Sequence, residues 1–113
     1  MVGCILIFFP KLLLIMYNKI IKAKELINQH VIETPSSFSN SLSEYTKKTI
    51  FVKYENKQFT GSFKYRGSLN KLLSLTKEDR SRGVIAMSAG NHAQGLSLGC
   101  KQLKIKATIV MPN

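Results

Sequence analysis

The chain has 113 residues, the length of a single domain, and 44% of them are hydrophobic, so its composition excludes a disordered tail. It carries 17 Lys and Arg residues against 6 Asp and Glu residues, and the formal net charge of +11 brings anionic partners into consideration. The basic residues are spread along the chain without a recognised nucleic-acid motif, so we expect no nucleic-acid partner.

An apolar segment opens the chain, from Val2 to Tyr17. Pro10 and Lys11 interrupt it and leave fewer than the roughly 20 apolar residues that a membrane-spanning helix needs. No small-residue cleavage site of a signal peptide follows it. We interpret residues 1–17 as an apolar N-terminal extension without a membrane partner, and a membrane anchor is the alternative.

Residues 18–29 are predicted to form an amphipathic helix. Its apolar side chains recur on one face, at Ile20, Ala23 and Ile27. The pair Thr34-Pro35 ends this helix. A turn or loop rich in Ser and Asn is predicted from Ser36 to Ser43.

A strand-to-helix turn is predicted around Lys64. Residues 49–53 are β-branched and aromatic enough to form a strand. Thr60, Gly61 and Ser62 break this pattern, and Ser62 is the predicted N-cap of a helix. The helix is indicated by leucines at helical spacing, namely Leu69, Leu72 and Leu73.

Lys64 falls in the first turn of that helix. The exposed N–H groups of a helix start disfavour an ammonium group, and nearby Arg66 and partial burial would add to this effect. A neutral amine is the form that reacts with aldehydes. From spacing alone, a solvated lysine on a basic surface is the alternative. Spacing therefore makes Lys64 a candidate reactive group and no more.

A βαβ unit is predicted in the last part of the chain. Its strands are expected over residues 83–87 and 107–111, with the helix over about 91–104. The charged residues 78–83 are interpreted as a connection. The helix has an apolar stripe at Ala93, Leu96, Cys100 and Leu103. Close approach of its backbone to the sheet is expected at two glycines, Gly95 and Gly99.

The stretch Ser88-Ala89-Gly90-Asn91-His92 follows the first of these strands and opens the helix. The carboxyl ends of strands are where α/β proteins bind ligands. Free N–H groups and the helix dipole favour a carboxylate or a phosphate at this point. A tight turn with Asn91 as a cap is the alternative.

Cysteine and histidine residues give no sign of a metal or a disulfide. Cys4 and Cys100 are far apart and form no CxxC pattern, and His30 and His92 form no metal-ligand cluster. We expect no metal site and reduced thiols, as in a cytoplasmic protein.

Two motifs together resemble one enzyme family. The segment Ser62-Phe63-Lys64 closely resembles the Schiff-base segment of the threonine dehydratase and serine racemase family of pyridoxal-phosphate (PLP) enzymes. The segment Ser88-Ala89-Gly90-Asn91-His92 resembles the Ser-x-Gly-Asn-His loop of the same family. These enzymes have fold type II and belong to the tryptophan synthase β-like superfamily. The resemblance implies an α/β fold with an open, mostly parallel sheet flanked by helices.

The resemblance also implies the role of each residue. Lys64 would hold the cofactor aldehyde and act as the catalytic residue, Phe63 would pack beside the cofactor ring, and Asn91 would approach a ring oxygen. The substrate carboxylate would be held by the loop residues Ser88, Ala89, Gly90, Asn91 and His92. Serine racemases place a serine acid/base at the position of Ala89, so the resemblance favours elimination over racemisation.

The implied activity is that of a threonine or serine ammonia-lyase. Such an enzyme removes water and then ammonia from a small hydroxy amino acid, giving 2-oxobutanoate from threonine or pyruvate from serine. The cofactor would be pyridoxal 5'-phosphate, the location cytoplasmic, and a full-length relative a homo-oligomer. A serine racemase-like enzyme is one alternative, and a small basic binding protein with a decayed motif is another.

The resemblance covers residues 20–113, which is about the first third of a family member. The family's glycine-rich phosphate cup and its partner for the pyridine nitrogen would lie downstream. We interpret the chain as an N-terminal fragment, truncated or split and inactive alone. Residues 1–17 are the extension, 18–82 open the large PLP domain with its lysine, and 83–113 form the first βαβ unit of the small nested domain.

Overall fold

The computed structural model describes the backbone of residues 3–112 and the side chains of residues 12–112. Two parts of the chain are each compact, Met1–His30 and Val31–Asn113. The helices of the described residues are α1 (Gly3–Ile27), α2 (Asn40–Thr46), α3 (Lys64–Ser74), α4 (Lys77–Arg82) and α5 (Asn91–Leu103). The strands are β1 (Ser36–Phe38), β2 (Phe51–Lys53), β3 (Val84–Met87) and β4 (Ala107–Val110), with 3₁₀ turns at Asn28–His30 and Glu55–Lys57.

Helix α1 begins well before the predicted residue 18 and passes through Pro10, so the predicted start of this helix is wrong. Its last predicted residues form a 3₁₀ turn instead. The predicted apolar face is buried only towards its end, because Ile20 is 61% exposed whereas Ile27 is 7% exposed. The structure describes no side chains for residues 1–11, which include most of the predicted extension and Cys4. No helix in the described part is long and apolar enough to cross a membrane.

The predicted loop from Ser36 to Ser43 is wrong, because it contains β1 and the start of α2. Strand β1 pairs antiparallel with β2, which confirms residues 51–53 of the strand predicted over residues 49–53. The serines that suggested a loop make local hydrogen bonds that begin and fix α2. The Ser39 hydroxyl accepts from Leu42 N at 3.4 Å, and the Ser43 hydroxyl accepts from Ile50 N at 2.9 Å.

The charged segment that was expected to be a connection forms helix α4. Thr76 caps it, since the threonine hydroxyl accepts a hydrogen bond from Asp79 N at 3.0 Å. Arg82 pairs with two acidic side chains of the first turn, Glu78 and Asp79. Charges that break an apolar pattern can therefore also form a short exposed helix, held by its cap and by ion pairs one turn apart.

The βαβ unit is confirmed. Strands β3 and β4 pair in parallel, with Val84 opposite Ala107 and Met87 opposite Val110, and α5 connects them. The predicted stripe of α5 faces the core, which contains the buried side chains of Leu72, Leu96, Cys100 and Ile105. The two glycines of α5 do approach another element closely, but that element is α3 rather than the sheet. The α/β class is therefore confirmed. The expected approach of the α5 glycines to the sheet is wrong, because they pack against α3.

Gly83 ends α4 with a φ of +82°, which L-residues with a side chain rarely adopt. A Cβ atom at this position would lie 2.7 Å from the carbonyl oxygen of Lys106. That same oxygen accepts the hydrogen bond from Val84 N that starts the β3–β4 pairing. The glycine therefore allows β3 to begin directly beside β4.

Replacing Gly83 with alanine should lower the free energy of unfolding by about 1–3 kcal/mol, through backbone strain and collision with Lys106. Gly67 is the matched control, because it lies inside α3 and a Cβ atom added to it would have no neighbour within 4 Å. Gly67→Ala should raise stability by about 0.5–1 kcal/mol. Chemical denaturation of the two variants measures both effects. Equal effects at the two positions would contradict the role assigned to Gly83.

Candidate functional site

The start of α3 presents Lys64 and Phe63 to solvent. Lys64 is the first helical residue, and Phe63 rather than the predicted Ser62 occupies the N-cap position. The Ser62 hydroxyl still accepts a hydrogen bond from Lys64 N, at 3.4 Å. The Lys64 ammonium lies 5.0 Å from the centre of the Phe63 ring. The expected partial burial of Lys64 is wrong, because its side chain is exposed.

An ion pair fixes this turn against the chain upstream. The guanidinium of Arg66 contacts both carboxylate oxygens of Glu55, through Nε at 2.8 Å and Nη2 at 2.9 Å. Nη2 also donates to the carbonyl oxygen of Ile32 at 2.9 Å. Hydrogen bonding from Arg66 holds the pKa of Glu55 below its ordinary value, and the Thr34 hydroxyl adds to this effect. Glu55 thus compensates the charge of Arg66, and the pair holds the residues next to Lys64 against the upstream chain.

Gln58 adds a second connection to the same upstream segment. Its side chain is buried, and its amide pairs with Ile32 in both directions. Oε1 accepts from Ile32 N at 3.0 Å, and Nε2 donates to Ile32 O at 3.0 Å. Oε1 also accepts from Phe59 N at 3.2 Å. Sequence reasoning missed Glu55 and Gln58, because polar residues between a strand and a turn look like an ordinary exposed loop.

The second motif forms the connection between β3 and α5. Ser88 N donates to Val110 O at 3.0 Å, which continues the pairing of β3 with β4. Gly90 N donates to the Ser88 hydroxyl at 3.3 Å, and Gly90 occupies the N-cap position of α5. Asn91 is the first helical residue, so the alternative that it caps the helix is wrong. Residues 89–92 are exposed and accessible to a ligand.

His92 connects this loop to the lysine helix. Its Nδ1 lies 3.3 Å from the hydroxyl oxygen of Ser68, which is on α3 and only 4% exposed. Ser68 follows Lys64 by one helical turn, so the two residues lie on the same face of α3. The buried hydroxyl of Ser68 therefore connects the loop to α3, one helical turn after Lys64.

Helices α3 and α5 also meet at Gly95 without an intervening side chain. A Cβ atom on Gly95 would lie 2.9 Å from Tyr65 N and 3.1 Å from the carbonyl carbon of Lys64. Tyr65 is fully buried, and its hydroxyl donates to Gln102 Oε1 further along α5. Burial raises the pKa of the Tyr65 phenol. Tyr65 thus holds the start of α3 against most of the length of α5.

A cavity of about 450 Å³ lies beside these contacts. Its walls include three of the predicted site residues, Phe63, Lys64 and His92. The other predicted loop residues, Ser88, Ala89, Gly90 and Asn91, precede His92 without lining the cavity. The volume is within the range of about 300–1,000 Å³ that is usual for ligand and cofactor sites. Across the part of the chain that the structure describes, no group of acidic, histidine and cysteine side chains could hold a metal ion.

A family model described as "Pyridoxal-phosphate dependent enzyme" matches residues 27–113. The chain belongs to this family. The match includes both motifs and every element from the first 3₁₀ turn to β4. Membership in the pyridoxal-phosphate dependent enzyme family therefore confirms the resemblance and the cofactor class inferred from the two motifs.

Two relatives share about half of their residues with this chain where they match. The catabolic L-threonine dehydratase TdcB of Escherichia coli (strain K12) is 50% identical over 95 residues, which cover 84% of this chain and 29% of that protein. The corresponding enzyme of Staphylococcus aureus (strain USA300) is 53% identical over 92 residues, covering 80% and 27%. The structure of maize serine racemase has a TM-score of 0.77 and 38% identity, covering 84% and 30%. The chain thus spans less than a third of the length of these proteins.

Removing the charge of Glu55 should destabilise the turn that carries Lys64. At neutral pH, Glu55→Gln should lower the free energy of unfolding by about 1–3 kcal/mol, because the buried part of Arg66 loses its charged partner. The folded-state pKa of Glu55 lies below the unfolded value, so its contribution is complete above the unfolded pKa. The contribution is lost as the pH falls through the folded pKa. The difference between the two proteins should therefore shrink with acidification.

Glu78→Gln is the control, because the Glu78 side chain is 81% exposed and its ion pair with Arg82 is long, at 3.7 Å. It should change stability by no more than about 0.5 kcal/mol. Urea titrations at pH 7 and pH 3 compare the variants with the unchanged chain. A Glu55→Gln effect that is as large at pH 3 as at pH 7 would contradict a contribution from the carboxylate charge.

Proposed function

We propose that this chain supplies the reactive lysine and the substrate loop of a PLP-dependent threonine or serine ammonia-lyase. Such an enzyme converts threonine to 2-oxobutanoate or serine to pyruvate, with release of ammonia. The observation that carries the proposal is the position of Lys64 and His92 on the walls of one cavity. These two residues come from separate motifs, which the packing of α3 against α5 brings together.

The cavity residues fit the aldehyde and the ring of pyridoxal phosphate. Lys64 offers an exposed primary amine at the cavity wall, and the apolar Phe63 ring lies next to it. When bound, the cofactor accepts the electron pair that is left as a substrate loses its α-proton. The family to which the chain belongs is PLP-dependent, which supports assigning this cofactor to the cavity.

Lys64 has two roles in the proposal. Its Nζ would hold the cofactor through the aldehyde, and the same atom, once free, would accept the α-proton of the substrate. An exposed side chain at a helix start has the freedom that such an exchange requires. Arg66 and Tyr65, which follow it directly, are both fixed by other contacts, so the backbone stays in place while the amine moves.

The start of α5 binds the substrate carboxylate in this proposal. Helix α5 has 13 residues, and its first N–H groups carry the positive end of the helix dipole. The exposed loop of residues 89–92 leaves these groups accessible. Asn91 would hold the cofactor ring oxygen, while His92 is fixed through Ser68. The substrate would then lie between the loop and Lys64.

Ala89 favours elimination. Its methyl group cannot donate or accept a proton, so this position offers no acid or base for reprotonation of the opposite face of the substrate. The names of the E. coli and S. aureus relatives agree with a dehydratase. The similarity to maize serine racemase keeps a racemase as the second candidate. Family membership argues against a small basic binding protein.

We also propose a cytoplasmic location and a homo-oligomeric state, as expected for a full-length relative. The location is supported by Cys100, a free thiol that is buried in the core and whose pKa is raised by that burial. Such a thiol is compatible with a reducing compartment and needs no disulfide partner. The oligomeric state follows from the resemblance to the family.

The lysine assignment can be tested in a hybrid enzyme, in which this chain replaces the matching segment of the E. coli dehydratase. Borohydride reduction in the presence of pyridoxal phosphate should attach the cofactor to Lys64, as read by peptide mass spectrometry. Lys64→Ala should abolish labelling there and lower kcat for threonine by about a thousandfold, because both covalent binding and proton removal are lost.

Lys77→Ala is the matched control, because Lys77 is also exposed and also opens a helix, but it is not part of the cavity wall. It should keep labelling and kcat within about twofold of the parent hybrid, since substitutions of exposed residues away from a site have small effects. Labelling of another lysine in the parent hybrid, with none on Lys64, would refute the assignment.

The choice between elimination and racemisation can be tested at Ala89. The parent hybrid should release keto acid from L-threonine or L-serine and form no D-serine above background. Ala89→Ser should add slow D-serine formation, because the new hydroxyl supplies a proton donor on the opposite face. Chiral chromatography and keto-acid assays measure the two products. Efficient D-serine formation by the parent hybrid would favour the racemase instead.

A further inference from the structure

The two glycines of α5 that face α3 have different neighbours. A Cβ atom at Gly95 would lie 2.9 Å from Tyr65 N, 3.0 Å from Tyr65 Cα and 3.1 Å from the carbonyl carbon of Lys64. All three are backbone atoms. A Cβ atom at Gly99 would lie 2.8 Å from Leu72 Cδ1 and 3.9 Å from Leu69 Cδ1, which are the ends of side chains. A leucine can adjust its rotamer, whereas backbone atoms move only with their helix turn.

The helices cannot easily separate to make room for a side chain at Gly95. The Tyr65 hydroxyl is bonded to Gln102 on one side of this contact, and Ser68 is bonded to His92 on the other. Buried side chains of both helices also pack together in the core, namely Leu72 of α3 and Leu96 and Cys100 of α5. An added methyl group at Gly95 would therefore press directly on the turn of Lys64 and Tyr65, because the backbone atoms of these two residues lie nearest to it.

We propose that Gly95 is a positioning residue for Lys64. By having no side chain, it sets how closely the lysine turn approaches α5, and thereby sets the distance between Lys64 Nζ and a substrate held by residues 88–92. Asn91 precedes Gly95 by one helical turn, so the loop end and the contact lie on the same face of α5. The inference rests on the proposed function of Lys64 and adds the residue that adjusts its geometry.

The test compares Gly95→Ala with Gly99→Ala in the hybrid enzyme. Both changes overfill a packed interface and should lower the melting temperature, Gly99→Ala by less because the end of the Leu72 side chain can move. Only Gly95→Ala should lower kcat for threonine, by about tenfold or more, with KM within about threefold, because displacement of a reacting group mainly affects the chemical step. It should also slow borohydride-dependent labelling of Lys64 by about fivefold and shift the visible absorption of the bound cofactor.

Each result decides the proposal. Unchanged kcat and Lys64 labelling in Gly95→Ala would overturn it, and equal losses in Gly99→Ala would reduce Gly95 to an ordinary packing residue. If Gly95→Ala unfolds, all three proteins are measured in sucrose, which favours the folded state. Failure to fold even there, with Gly99→Ala folded, would also overturn a positioning role. Absence of Lys64 labelling in the parent hybrid would instead refute the proposed function.

Discussion

Helices α3 and α5 can lie close together because α5 presents glycine at two positions that face α3, and the meeting of the lysine with the loop depends on this approach. Leu69 and Leu72 of α3 are fully buried, as is Tyr65, and Leu96 and Cys100 of α5 are nearly so. Burying a leucine side chain contributes about 1.5–3 kcal/mol. Each helix begins with one of the two motifs, so the hydrophobic core that joins the helices also joins the lysine to the loop.

A polar network also fixes the lysine turn in place, by connecting it to the chain upstream. Glu55, Arg66 and Gln58 connect this turn to Ile32, which lies more than twenty residues upstream of all three. Buried polar groups of this kind stabilise a fold only when nearly all their hydrogen bonds are satisfied. The arrangement meets that condition for the Gln58 amide and for the carboxylate of Glu55. The position of Lys64 is thus determined by apolar packing along α3 and by charge and amide contacts before it.

Periodicity was sufficient to predict α5, β3, β4 and the helix that follows Lys64, since each has a clear apolar pattern. It failed for α2 and α4, which are short, exposed and held by serine, threonine and charged side chains. The motifs identified the family, but they could not reveal that the glycines of α5 face α3, because the neighbour of a glycine is not encoded locally. The exposure of Lys64 was missed for a similar reason, since burial depends on parts of the chain that are distant in sequence.

The hydrogen bonds of the Gln58 amide would not tolerate the replacement of its nitrogen atom by oxygen. Its Oε1 accepts a hydrogen bond from Ile32 N while its Nε2 donates one to Ile32 O, so the side chain reproduces the pairing of a neighbouring strand. A glutamate has the same shape, but it would place a second acceptor, and a negative charge, against the carbonyl oxygen of Ile32. Exchange of one nitrogen for oxygen, as in hydrolysis of the amide, would turn attraction into repulsion at the segment that anchors the lysine turn.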